Sequence, residues 1–149
     1  METIHKPVML QESVEALQIK PDGTYIDMTF GFGGHSREIL KKLNKGGRLI
    51  GIEADEKVYD KAKSLFKNNK NLSLYNCNNV NVGSLVLDKV DGIIFDLGTN
   101  IYQIKEGGRG FSFLKDEKLD MRFDVRNNPL TAEMVLNQYR REKLESIFF

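Results

Sequence analysis

The sequence holds a single cysteine, Cys77, so no disulfide can form within one chain and no cysteine cluster can bind a metal. Its two histidines, His5 and His35, stand far apart and outside any ligand motif, which predicts no metal site. No apolar run reaches the about 20 residues that a membrane-spanning helix requires. The opening Met1-Glu2-Thr3-Ile4-His5-Lys6 lacks the apolar stretch and small-residue cleavage site of a secretory leader. A cytoplasmic protein without membrane association is expected. Net charge is only +1, so bulk composition supplies no basic excess of the kind that marks a nucleic-acid binder. Local patches can still coexist with a balanced total. Internal repeats and low-complexity linkers are missing as well.

What is present is 149 residues, 40% hydrophobic and 29% charged, which is ordinary for one modest globular domain. Strand-like and helix-like segments alternate. Thr24 to Met28 follows the turn Pro21-Asp22-Gly23 and is rich in strand formers. His35 to Leu43 puts Ile39, Leu40 and Leu43 on one helical face. Arg48 to Ile52 predicts a second, buried strand, entered through Gly46-Gly47. Asp55 is a candidate helix cap, and behind it Val58, Ala62, Leu65 and Phe66 share a face with lysines opposite. Leu72 to Tyr75 and Asp91 to Asp96 predict strands three and four, the fourth with an apolar centre that suits burial on both faces. Thr131 is placed to cap a helix carrying Met134, Val135 and Leu136, and Glu142 to Phe149 predicts another helix. This alternation implies a parallel, doubly wound α/β sheet. Four strands are few for that class. An edge or face left open predicts a covering partner, with a homodimer the expected form.

In a doubly wound sheet the first strand–helix loop is where ligands bind. Here it reads Asp27-Met28-Thr29-Phe30-Gly31-Phe32-Gly33-Gly34-His35-Ser36. Glycines let a ligand approach the backbone, and the helix start beyond them offers unpaired N–H donors. As a dinucleotide fingerprint the loop is imperfect, because Ser36 stands where a third glycine or alanine belongs. Glu53 follows roughly twenty residues on, where a carboxylate accepts ribose hydroxyls. NAD and S-adenosyl-L-methionine both carry such a ribose, so Glu53 does not separate them. Asp27 favours the second, because a carboxylate suits a cationic amino group and sulfonium better than a pyrophosphate. A structural glycine turn with exposed acids is the plainer alternative.

Ordered segments along essentially the whole chain resemble one family. They are His5-Lys6-Pro7-Val8-Met9-Leu10, Tyr25 to Ser36, Arg48 to Asp55, Asp91 to Gly98, Arg109-Gly110-Phe111-Ser112-Phe113 and Leu119 to Asp124. Together they resemble the bacterial 16S ribosomal RNA cytosine-N4 methyltransferases, over that family's N-terminal half. The resemblance implies a Rossmann-like methyltransferase fold with a truncated sheet. It also implies S-adenosyl-L-methionine as cofactor, methyl transfer to the N4 of a cytidine, and 16S ribosomal RNA or the small ribosomal subunit as partner. One cofactor-binding domain over 1–149 is expected, with a core sheet in 20–96, a long loop in 97–130 and a helical part in 131–149. Carried over position by position, the cofactor contacts would be Gly33, Gly34, His35, Glu53, Asp96 and Gln103, with Asp27 added from the strand-one argument. His35 has the simpler alternative of a helix-start residue.

Asp96 is also the candidate catalytic carboxylate, with capping of the loop after a buried strand as its plainer role. Three places depart from the family. Glu53 replaces an aspartate, Asn79 stands where an aromatic would flank the adenine, and Asn100-Ile101-Tyr102 replaces Ser-Ser-Pro. Asn79, the Asn100-Ile101-Tyr102 segment and a chain shorter than the family's keep open a second reading, an inactive, truncated binding or interaction module. In the long loop Arg109, Phe111 and Arg122 are the candidate RNA contacts. Interleaved acids such as Asp120 and Asp124 allow the alternative of a loop pinned by ion pairs.

Overall fold

The turn at Pro21-Asp22-Gly23 closes with the Gly23 N–H donating to the Lys20 carbonyl at 3.0 Å, and it delivers the chain into β1 (Thr24–Asp27). The computed structural model describes residues 7–85 and 89–149, so His5 and Lys6 of the opening segment lie outside the described residues. Before β1 runs α1 (Leu10–Ala16); after it come α2 (Gly34–Lys42), β2 (Arg48–Glu53), α3 (Glu56–Leu65) and β3 (Leu72–Asn76). A short 3-10 helix (Asn79–Ser84) leads on towards β4 (Gly92–Ile94). Then follow α4 (Ile101–Glu106), α5 (Ala132–Gln138) and α6 (Arg141–Phe148). The chain divides into two compact units, Met1–Gly98 and Thr99–Phe149.

In the first unit all strand pairs are parallel and the order is β3-β2-β1-β4, so the expected doubly wound arrangement is borne out. The chain winds outward from β1 through β2 to β3, then returns to the other side of β1. That reversal opens a crevice beyond the carboxyl ends of β1 and β4, where such sheets receive ligands. Tyr25 pairs with Leu49, Ile26 with Ile50 and Ile93, and Asp27 with Gly51 and Ile94.

The period of two sorts the strand residues onto the two faces. Tyr25, Leu49 and Ile94 pack with Val14 of α1 and Ile39 of α2. Ile26, Met28, Ile50 and Ile52 pack on the other side with Cys77, Val82 and Val90 around them. Helix α1 is absent from the sequence expectations, although Leu10, Val14 and Leu17 recur at helical spacing and pack into that core.

Two expectations of burial are corrected. Strand β4 is not covered on both faces: Ile94 is buried, but Ile93 is 47% and Phe95 53% exposed. β4 is the sheet's edge, and among the described residues its buried core side chain is Ile94, on the face packed with Val14 and Ile39. In α3, Asp55 caps as expected by accepting from the Lys57 N–H, and Val58 and Ala62 point inward. Leu65, however, is 56% exposed. Phe66 closes that face instead, meeting the Phe30 ring edge-on at 5.2 Å.

The second unit begins inside the expected long loop, which contains α4. A reciprocal cap opens it: the Asn100 side chain accepts from the Gln103 N–H at 2.9 Å, and the Gln103 side chain accepts from the Asn100 N–H at 3.0 Å. Thr131 caps α5 as expected, accepting from the Met134 N–H. Between these helices the chain is ordered around Arg109. Its guanidinium donates to the carbonyls of Arg122 and Phe123, and the Met121 N–H donates back to the Arg109 carbonyl.

Candidate functional site

Parallel pairing sets the carboxyl ends of the strands in one row. Asp27 ends β1, Glu53 ends β2 opposite Asn76 of β3, and Asp96 lies two residues beyond β4. The β1–α2 loop rises from this edge while still bonded to both neighbours. The Met28 N–H donates to the Ile94 carbonyl and the Phe30 N–H to the Ile52 carbonyl. Gly31 (φ 54°) and Gly33 (φ 73°) then turn the chain through left-handed backbone that a side chain would strain. A β-carbon at Gly33 would also strike the Phe66 ring at 2.4 Å, and one at Gly34 would strike Pro7 at 2.2 Å. At Gly31 a β-carbon would meet only the Thr29 carbonyl oxygen, in ordinary contact at 3.9 Å. The loop is thus packed from behind and bare in front.

The glycine loop and the Glu53 carboxylate, expected to converge, are in direct contact. The Gly31 N–H donates to Glu53 Oε2 at 2.9 Å, and the Asp55 N–H donates to Oε1 at 2.8 Å. Burial pushes the Glu53 carboxyl up to about 7, moderated by those two backbone donors. A carboxylate has about four lone-pair positions, so two remain for ligand hydroxyls.

Asp27 is buried, and burial raises its carboxyl above the ordinary aspartate range. The Ser36 hydroxyl donates to its Oδ2 at 2.6 Å and the Thr29 N–H donates to its Oδ1 at 3.1 Å, both opposing that shift. Ser36 therefore has a reason to replace the third glycine of a dinucleotide fingerprint: it completes the carboxylate at the mouth of β1. Thr29 continues the chain of bonds, its Oγ1 accepting from the Asp96 N–H at 2.7 Å. Asp96 Oδ2 lies 3.8 Å from Nδ1 of His35, and the Asp96 side chain is 43% exposed. His35 itself is buried, and its Nε2 has no hydrogen-bond partner among the described residues.

Gly33, Gly34, His35, Asp27, Glu53 and Asp96 thus gather at the carboxyl edge of β1, β2 and β4. Asn79 opens the 3-10 helix three residues past the end of β3, half-buried, after Asn78 has capped it. Thr29 and Ser36 were not among the expected site residues. Their signal was a pair of hydroxyls two and nine positions beyond a strand-end aspartate. Gln103, Arg109, Phe111 and Arg122 belong to the second unit. Gln103 is buried in the α4 cap. Arg122 pairs with Asp120 through Nε at 2.9 Å and Nη2 at 2.5 Å, and that guanidinium holds the Asp120 carboxyl below the ordinary range. Phe111 rests against Phe123 at 5.3 Å, beneath the Arg109 guanidinium at 5.6 Å.

Among the described residues no group of three or more His, Cys, Asp or Glu is arranged to hold a metal, and no helix is long and apolar enough to cross a membrane. A sequence profile of the MraW methylase family matches residues 2–149. A ribosomal RNA small subunit methyltransferase H from Clostridium botulinum is 46% identical over 99% of this chain and 48% of its own length. Its namesake from Ureaplasma parvum is 47% identical over 97% of this chain and 48% of its own length. The chain spans about half the length of the curated relatives it matches. Among solved structures, an rRNA methylase from Streptococcus thermophilus superposes with a TM-score of 0.51, covering 64% of this chain and 57% of the other. At 20% identity that likeness concerns the fold alone.

Proposed function

The chain belongs to the MraW methylase family, and we propose from that premise that it is the S-adenosyl-L-methionine-binding half of an RNA methyltransferase. The reaction proposed is methylation of a cytidine N4 in 16S ribosomal RNA, with that RNA or the small ribosomal subunit as partner. One observation carries the reading: the glycine loop and the Glu53 carboxylate meet at 2.9 Å on the edge where Asp27 and Asp96 also end.

The crevice has the right chemistry for this cofactor. The missing side chain at Gly31, where only the Thr29 carbonyl oxygen lies within 4 Å, suits a ligand held against the backbone, and the spare lone pairs of Glu53 suit ribose hydroxyls. Asp27 and Asp96 offer carboxylates to cationic groups, and His35 Nε2 is a buried polar atom in want of a partner. Gly33 and Gly34 leave the loop without side chains at its helix start. Asn79 would border the adenine with an amide instead of an aromatic ring; Gln103, also carried over from the family, belongs to the second unit, where its side chain caps α4. When bound, the cofactor supplies an electrophilic methyl group on its sulfonium.

A cytosine amine is a weak nucleophile, because its lone pair is delocalised into the ring. It has to be held in line and given an acceptor for its proton. Asp96 is the catalytic candidate for that task. Its backbone is anchored to Thr29, while its half-exposed carboxylate stands open at the crevice. Arg109, Phe111 and Arg122 enter this reading as the frame of the loop that meets the RNA, since both guanidinium groups are engaged internally. Work on a ribosomal substrate implies the cytoplasm. A second copy of the chain over the open β4 edge belongs to the same proposal. Asn79 and the Asn100-Ile101-Tyr102 segment favour the other reading, a binding module without activity, because the first offers no ring to stack and the second replaces the family's Ser-Ser-Pro.

Calorimetric titration with S-adenosyl-L-methionine tests the proposal. Saturable binding is expected, weakened about tenfold or more by Asp27→Asn, the loss of about 1.4 kcal/mol. No heat at millimolar ligand would overturn it. Methyl transfer to undermethylated small subunits then separates the enzyme from the binding module.

A further inference from the structure

The whole-chain charge of +1 conceals a strong local asymmetry. Between Arg37 and Lys70 there are ten lysines and arginines against five acids, and two of those acids, Glu53 and Asp55, are buried. The rest of the chain carries twelve basic residues against sixteen acidic ones. Three of those ten basic residues line a shallow groove of about 480 Å³ between α2 and the end of α3. Arg37, Lys41 and Lys67 line it with Asn68, and none of the described acidic residues does.

The groove is more than a solvated lysine face. Arg37 lies over the Phe66 ring at 4.5 Å, which orients its guanidinium and leaves the in-plane N–H groups for an anion. Lys67 has no ion-pair partner among the described residues, while Lys41 is held by Glu38 at 2.6 Å. Leu65 contributes apolar surface in the same wall. Phe66 is also the ring that backs Phe30 and Gly33, so the groove lies directly behind the glycine loop.

We infer that this groove seats the sugar-phosphate backbone of the RNA strand, apart from the crevice at the strand ends. The inference rests on the RNA reading above. Three cations spaced along an open trough, with amide donors and an apolar wall, match a polyanion whose backbone bears one charge per nucleotide. A compact anion would need a closed cradle instead.

The test uses the full 149-residue chain, a Lys41→Gln/Lys67→Gln double variant, and a Lys105→Gln/Lys143→Gln control of equal charge change. Each is titrated with a labelled single-stranded RNA across a salt series. Every phosphate that goes without its lysine should flatten the log–log salt slope by about 0.7, so the groove variant should be shallower by about 1.4 and bind about tenfold or more weakly at low salt. The control should weaken by less than half as much, and calorimetric binding of S-adenosyl-L-methionine should be the same in all three. RNA affinity that survives the groove substitutions, or falls equally in the control, overturns the groove while leaving the cofactor reading intact. Loss of cofactor binding in the unsubstituted chain strikes the earlier reading instead, and the groove still stands if the RNA result holds. Equal, variant-sensitive binding to phosphatidylserine vesicles would overturn RNA as the occupant.

Discussion

The buried apolar side chains among the described residues all lie in the first unit, from Val14 to Ile94. In the second unit the buried side chains with polar groups are Gln103, Arg109 and Asp124. The first unit is thus ordered by burial of apolar area, which is non-directional and accumulates at about 25 cal/mol per Å². The second is ordered by directional bonds, such as Arg109 to two carbonyls and Arg122 to Asp120. Each of those adds only about 1 kcal/mol when made, yet a partner left buried and unsatisfied costs about 1–3 kcal/mol. One unit should therefore fail by cavity, the other by an orphaned polar group.

The largest effect expected from that contrast is in the sheet. Leu49 is fully buried, and Leu49→Ala should cost about 2–5 kcal/mol in urea unfolding, with amide protection lost across β1 and β2. A destabilisation below about 1 kcal/mol would mean that the sheet's core does not carry the unit.

Next comes the electrostatic cost of a buried carboxyl inside the apolar unit. Glu53 titrates near 7 when folded against 4.5 when unfolded. Its neutral form is favoured by folding, so the stability it contributes is full below pH 4.5 and drains away as pH rises through 7. The amplitude is about 3 kcal/mol. Glu53→Gln cannot ionise and should flatten the fall over that window, leaving the slope that buried Asp27 adds in the same direction. Stability curves at several pH values check this; an unchanged slope would remove Glu53 as its source.

The smallest effect sharpens the other side. Arg109→Met keeps the length and removes the donors, so the carbonyls of Arg122 and Phe123 are left without them. Hydrogen exchange at Gly110 and Met121 should quicken by the equivalent of about 1–3 kcal/mol, with the β1 and β2 amides unaffected. Faster exchange throughout the sheet, or no change at Met121, would break the contrast between the units.

Much of the first unit was legible from local pattern. The alternation around Thr24 and Arg48, the helical faces of Ile39 and Val58, and the cap at Asp55 all involve neighbours close in sequence. So does the glycine loop. Long-range placement was less legible. The exposed face of β4 could not be read, because an apolar strand has the same composition at an edge as in the middle. Leu65 and Phe66 share a helical stripe, and only the position of Phe30 decides which of them is covered. Ser36 looked like a defect in a fingerprint until Asp27 stood 2.6 Å from its hydroxyl.

Chain order and side-chain chemistry alone determined the α/β alternation, the ligand loop and the acids at the ends of strands one, two and four, because those depend on periodicities of two and 3.6 and on backbone preference. Only the tertiary structure decided that β4 returns beside β1, which opens the crevice and brings Asp96 to His35. It also gathered Arg37, Lys41 and Lys67 into one groove. Strand order and surface charge depend on contacts between residues tens of positions apart, and no local pattern encodes a distance across space.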